Sequence, residues 1–278
     1  MSGFYWLASY PKSGNTWIRL ALQSLAQHGG RISFAEGDRW FPIASAREPF
    51  DSMLGVESSD MTSAEIDTLR PRVYEALACE ATVPLIRKVH DAWTMTPACE
   101  PLFPPAVTLG AVYVVRDPRD VAISYAHHCS QTIDRIIETM ADPEAAMARS
   151  RRSMNTQMRQ KLLTWSGHVS SWMDAPGIPR LTVRYEDIVA GTETVLAEVA
   201  SFCGMNSTAD EIAAATVSTR FDTLRAQEEQ SRFCEKPAGM QRFFRQGKAG
   251  GWQKVLTNEQ VLRIERDHGE IMARLRYL

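Results

Sequence analysis

The chain has little of what would mark a disulfide scaffold, a membrane protein or a nucleic-acid binder. Its five cysteines, Cys79, Cys99, Cys129, Cys203 and Cys234, are odd in number and scattered, and no two form a Cys-x-x-Cys pair. That disfavours a disulfide framework and a structural zinc and leaves reduced thiols as the expectation. No apolar run reaches the roughly 18–20 residues that cross a bilayer, and no basic segment followed by a long apolar stretch opens the chain. With 31 Lys and Arg against 33 Asp and Glu, the net charge is -2. Without a global basic field, neither nucleic acid nor an anionic membrane is expected as a partner, and any anion site must be local. Internal repeats and low-complexity tracts are also missing. The expectation is a soluble, cytoplasmic protein whose 278 residues form a single domain spanning 1–278.

What is present is an alternation of strand and helix patterns. Phe4 to Ser9 (FYWLAS) fits a buried strand; Trp17, Ile18, Ala21, Leu22 and Leu25 then recur at helical spacing, with Gly29-Gly30 as a stop. The pattern dissolves from Arg31 to about Asp60, and a helix is predicted from an N-cap at Thr62, with Glu65 three residues on, to Cys79. Val83 to His90 reads as a second strand, and Ala111 to Asp117 (AVYVVRD) as a third, with Pro118 at the start of the next helix. Asp134 to Ser170 reads as helix interrupted by Pro143, Arg180 to Asp187 as a strand, and the segment up to Gly204 as helix. A glycine- and cation-rich loop precedes a closing amphipathic helix over Thr257 to Leu278. Such alternation predicts an α/β fold with a central parallel sheet flanked by helices, and ligands beyond the carboxyl ends of its strands.

The loop after the first strand, YPKSGNTW, sets Lys12, Ser13, Gly14, Asn15 and Thr16 at a helix N-terminus. Unpaired backbone N–H groups and the positive dipole end favour an anion there, Gly14 permits close approach, and Lys12 adds a point charge. A plain N-cap would account for the hydroxyls but not for the lysine. A kinase loop places its lysine after the last glycine; here Lys12 precedes Gly14 and the first glycine is absent, which weakens an ATP or GTP reading. In YVVRDPRDVAISY, Arg116 ends a strand and Ser124 follows eight residues on. An arginine fork and a helical hydroxyl can grip one phosphate, although local Arg116–Asp120 or Arg119–Asp117 pairs would use the same residues at little energetic consequence.

Together with FFRQGKAGGW (Phe243 to Trp252), these motifs resemble those of the sulfotransferase family, which moves a sulfuryl group from 3'-phosphoadenosine 5'-phosphosulfate (PAPS) to an acceptor. The resemblance implies a P-loop-like nucleotide-binding architecture in which YPKSGNTW holds the 5'-phosphosulfate and Arg116 and Ser124 hold the 3'-phosphate. It implies a closing loop in which Arg245 and Gly247 match the family pattern, while Gln246 stands where lysine is usual and Lys248 is close enough to substitute. Catalysis is assigned by the same resemblance to the Lys-x-His pair Lys88 and His90, with Lys12 at the departing phosphate; Ser124, the 3'-phosphate ligand, is counted in the same catalytic set. A histidine of near-neutral pKa suits a general base for a hydroxyl nucleophile, and the lysines suit developing negative charge. Trp17, Tyr185, Thr219 and Phe221 match positions around the adenine, though Trp17 and Phe221 would serve equally as core. His127 and His128 are candidates to flank the acceptor.

The resemblance implies 3',5'-adenosine bisphosphate (PAP) as product and no metal, and allows a homodimer, although Lys254 to Arg263 departs from the family's dimer segment. The acceptor is expected to be a small molecule, natural product or saccharide. Two other readings compete: a magnesium-dependent nucleotide kinase or phosphoryl transferase, for which Asp117 is the nearest metal carboxylate, and a noncatalytic nucleotide-binding regulator.

Overall fold

A computed structural model of the chain describes residues 2–34, 40–149, 155–231, 233–236, 240 and 242–278. The architecture is α/β, a central parallel sheet flanked by helices. The strands are β1 (Phe4–Ser9), β2 (Leu85–Val89), β3 (Thr108–Val115) and β6 (Arg180–Arg184), in the order β2-β1-β3-β6. β1 pairs with β2 in parallel, Phe4 opposite Leu85 through Ala8 opposite Val89. Strands covered on both faces are apolar without alternation, and β1 and the last six residues of β3 are buried almost throughout.

Contacts divide the chain into two compact units. The first comprises Met1–Tyr10, Pro42–Tyr113 and Thr139–Leu181. It holds β1, β2, most of β3, α2 (Arg47–Leu54), α3 (Ser63–Glu80), the ribbon β4 (Ala146–Met147) and β5 (Gln160–Lys161), and α6 (Trp165–Met173). Its core is aromatic: Phe4 stacks on Trp6 at 4.4 Å, Trp6 meets Phe103 at 5.0 Å, and Phe103 meets Trp172 at 5.0 Å. The second comprises Pro11–Phe41, Val114–Glu138 and Thr182–Leu278. It holds α1 (Asn15–Ala26), α4 (Pro118–Cys129), α7 (Tyr185–Ala190), α8 (Thr192–Phe202), α9 (Ala209–Ser218), α10 (Phe221–Gln230) and α11 (Asn258–Arg274). Leu20, Ile32, Phe34, Leu224, Phe233 and Phe244 form a core cluster there.

The predicted helix from Thr62 has a full capping box: Glu65 N–H donates to Thr62 Oγ1, and Thr62 N–H to Glu65 Oε2. Two expectations need correction. Asp134 to Ser170 is not one interrupted helix: α5 (Ile133–Ala141) ends, Asp142 Oδ1 accepts the Glu144 N–H across a turn containing Pro143, and the antiparallel ribbon β4–β5 precedes α6. Proline lacks the N–H the next turn requires, which explains the stop; residues 150–154 lie outside the described residues. The last strand ends at Arg184 rather than Asp187, and Tyr185 opens α7. Glu186 and Asp187 in that first turn suit the positive end of a helix.

Candidate active site

Lys12 to Thr16 follow the carboxyl end of β1, His90 that of β2, Arg116 that of β3 and Tyr185 that of β6, whereas the closing loop, Phe243 to Trp252, comes after α10. In the second unit, Lys12 has φ 70°, and Gly14 is the N-cap of α1 with φ 110°. The first intrahelical bonds run from Trp17 and Ile18 N–H to the Gly14 carbonyl, so the preceding amides lie outside the helical ladder. Ser13 Oγ is fully buried and has no hydrogen-bond partner among the described residues. A Cβ at position 14 would stand 2.7 Å from Tyr185 Cδ2, so only glycine lets the loop backbone lie against that ring.

Lys12 Nζ lies 4.4 Å from the Phe243 ring centroid and donates to His128 Nδ1 at 3.4 Å. Phe243 was not foreseen as a neighbour of the lysine, whereas His128 was expected only to flank an acceptor. The Thr16 hydroxyl donates to Glu235 Oε2 at 3.0 Å, and Arg19 pairs with the same carboxylate. Trp17 Nε1–H donates to the Thr219 carbonyl at 2.9 Å, while the Thr219 hydroxyl bonds back to the Ala215 carbonyl. Trp17 and Phe221 both pack on the core cluster, so the structural role weighed for them is real.

Arg116 stacks its guanidinium over Tyr185 at 4.2 Å and donates to the Lys12 carbonyl at 3.4 Å and the Lys248 carbonyl at 3.1 Å. Its Nε is buried with no hydrogen-bond partner among the described residues. Burial, and then the nearby Arg116, hold the Arg245 pKa below the ordinary arginine value; burial and then Arg245 do the same to His127. Arg116, Arg245 and His127 crowd together with Asp120 as the carboxylate acting on both arginines, and such an excess of cations favours an anion. Ser124 is half-buried on the same helix, α4. The orphaned Ser13 hydroxyl, the orphaned Arg116 Nε and the glycine cradle fit a phosphate-bearing nucleotide.

Both ion pairs weighed against phosphate binding are present. Arg119 engages Asp117 through both carboxylate oxygens, and also Glu265 at 2.8 Å and the Tyr277 carbonyl at 2.7 Å. Those contacts commit the Asp117 carboxylate and remove the foothold of the magnesium reading. Asp120 lies 3.8 Å from Arg116, yet its main partners are backbone: Gly250 N–H donates to Oδ2 at 2.8 Å and Trp252 N–H to Oδ1 at 2.9 Å. Arg119 adds a stack on Trp252 at 4.0 Å. The closing loop is therefore tied to the start of α4. Gly247 has φ 61°, and a Cβ there would stand 2.2 Å from Phe221 Cδ2. The exposed Gln246 keeps its Oε1 near Gly251.

In the first unit, Lys88 is half-buried on β2, its backbone paired with Pro42 and Ala44. His90 is buried, and its Nδ1 lies 2.9 Å from the Ser9 carbonyl. A carbonyl only accepts, so Nδ1 carries the proton and Nε2 of the neutral ring is the basic nitrogen. Behind it, His168 Nε2–H donates to the His90 carbonyl at 3.0 Å, and the Tyr113 hydroxyl donates to His168 Nδ1 at 2.9 Å. Burial lowers the His168 pKa to about 4, keeping that ring neutral. Asp91 is held by a bidentate bond from buried Arg70, at 2.9 and 2.8 Å, and its carbonyl accepts from Trp172 Nε1–H at 2.9 Å. These supports were missed, and only the His168–Trp172 spacing in the sequence hinted at a buried helix face.

The profile of the sulfotransferase domain family matches residues 5–276. Sulfotransferase 1A1 of Canis lupus familiaris is 24% identical over 271 residues, covering 96% of this chain and 82% of that protein. Cytosolic sulfotransferase 1 of Danio rerio is 26% identical, covering 91% and 78%. Among solved structures, retinol dehydratase in complex with androsterone and the inactive cofactor PAP superposes with a TM-score of 0.63 at 19% identity, covering 97% of this chain and 80% of that one. A mouse sulfotransferase complexed with PAP gives 0.62 at 20% identity, covering 98% and 85%. With the family profile running almost from end to end over a chain of this fold, the protein belongs to the sulfotransferase domain family.

Proposed function

We propose that this protein transfers a sulfuryl group from PAPS to a hydroxyl of a small or medium-sized acceptor, with His90 as general base. The observation that carries the reading is the His90 tautomer: Nδ1–H is committed to the Ser9 carbonyl, so Nε2 is the nitrogen that takes a proton. PAPS supplies the activated sulfuryl group. Lys12 and the amides of Gly14 to Thr16 hold the 5' side, and Arg116, Ser124 and Arg245 the 3'-phosphate, with Lys248 rather than Gln246 as the additional cation. Trp17, Tyr185, Thr219 and Phe221 surround the base. As the acceptor oxygen attacks, its proton passes to His90 Nε2, while Lys88 and Lys12 offset the negative charge on the transferring and departing oxygens. PAP and small molecules bound to the solved relatives support this donor and acceptor class.

A cytosolic setting is part of the proposal. It is supported by a relative named as cytosolic; among the described residues no helix is long and apolar enough to cross a membrane.

His90→Ala is expected to lower kcat by about 10²–10⁴-fold while the PAP dissociation constant, measured by calorimetry, stays within about twofold. Loss of PAP binding in the same variant would remove the base assignment. Thermal stabilisation by PAP but not by ATP with magnesium distinguishes sulfuryl from phosphoryl transfer.

A further inference from the structure

The first unit contains a cleft of about 550 Å³ that the donor site does not use. Its walls include Ser63 at the start of α3, Asp67 one turn on, Thr94 and Thr96 in the loop leaving His90, and Arg159 and Lys161 on the β5 side. Both basic residues are half-buried, and Arg159 is near enough to Asp67 to act on its charge. Among the described residues Asp67 is the only carboxylate lining the cleft, and it also lies 3.5 Å from Arg70. Burial raises the Asp67 pKa, and the charges of Arg70 and then Arg159 act against that rise, so the one carboxylate is divided between two arginines and Lys161 is not among its partners. With Arg159 and Lys161 against Asp67, the cleft presents a net positive charge among hydroxyls.

The cleft adjoins the strand end that carries the proposed base. Arg70 joins Asp67 on the wall to Asp91, the residue after His90, and the Lys161 carbonyl accepts the Ala92 N–H at 2.7 Å. Thr94 is four residues past His90, a chain span of at most about 14 Å. That upper bound limits the separation between an acceptor's hydroxyl and a carboxylate in the cleft to the scale of a small molecule.

We propose that this cleft is an acceptor subsite for a carboxylate, so that the preferred acceptors are small hydroxyl compounds carrying a carboxylate at the end remote from the reacting oxygen. The inference rests on the sulfuryl-transfer reading for the identity of the ligand, but its binding chemistry does not depend on turnover. Arg159 and Lys161 donate charge-assisted hydrogen bonds to the carboxylate, and Thr94 and Thr96 complete its shell.

The test compares 4-hydroxyphenylacetate with its neutral isostere 4-hydroxyphenylacetamide by calorimetry, with and without PAP. The full-length protein and the Arg159→Met/Lys161→Met variant are both titrated. The carboxylate is expected to bind at least about tenfold more tightly than the amide, and the preference to fall to near unity in the double variant. Raising NaCl from about 50 to about 500 mM should shrink the preference in the unmodified protein, a readout that needs no variant. Equal binding of the two probes, no binding of either, or a preference that survives both substitutions would overturn the proposal. PAP stabilisation without a carboxylate preference would sink only this inference; a carboxylate preference without PAP stabilisation would sink only the donor assignment.

Discussion

At Gly14 a positive φ and a closely approaching aromatic ring coincide, since a Cβ at this position would stand 2.7 Å from Tyr185 Cδ2. Gly14→Ala should therefore combine left-handed backbone strain with a clash, costing about 1–3 kcal/mol and weakening PAP binding because the loop amides move. Thermal melts and PAP titration read both effects. Tyr185→Ala in the same chain should recover part of the stability but not the strain, and a Gly14→Ala protein that melts and binds normally would mean the loop has another conformation open to it. That Lys12, Gly14, Arg116 and His90 fall just beyond strand ends was legible in the sequence, from strand patterns a few residues long, while the role proposed for His90 came from the family resemblance. The group that selects the His90 tautomer was not. It is a backbone carbonyl 81 residues away, and nothing in the residue type of Ser9 announces it.

The decisive feature among the elements is the bond between the start of α4 and the closing loop. Asp120 accepts from two loop amides, Arg119 stacks on Trp252, and Arg116 donates to the Lys248 carbonyl. Asp120→Asn replaces an acceptor-only carboxylate with a group that has a single acceptor oxygen, so one loop amide loses its partner. The expected result is a roughly tenfold rise in the PAP dissociation constant and in KM for the donor, with KM for the acceptor little changed; equal damage to both KM values would point to general unfolding instead. In the sequence, Asp120 looked like the partner of Arg116. Its actual role depends on loop residues 130 and 132 positions further on. The ribbon β4–β5 escaped notice for a related reason: each strand has only two residues, too few to show a period.

At the level of the whole molecule, His168 and His268 are buried neutral, each with its pKa lowered by desolvation to about 4. Unfolding returns them to about 6.5, so between these values the unfolded chain binds more protons than the folded one. Their contribution is complete above about pH 6.5 and is lost as pH falls toward 4, with a limiting slope of roughly 1.4 kcal/mol per pH unit for each histidine. Urea midpoints measured from about pH 7.5 to about 4.5 should fall accordingly, and a flat profile would show that these rings protonate without unfolding. The order of strands and helices, the Thr62–Glu65 capping box and the residue types for phosphate and proton chemistry follow from the sequence by itself, since each depends on neighbours within a few positions or on what a functional group can do. Tertiary structure alone decided that Arg70 secures Asp91, that His168 supports the His90 backbone, and that Arg159 and Lys161 line one cleft with a single carboxylate, Asp67, among the described residues. Those pairings close long loops at an entropic cost that only the summed burial of the fold offsets, so no local pattern encodes them.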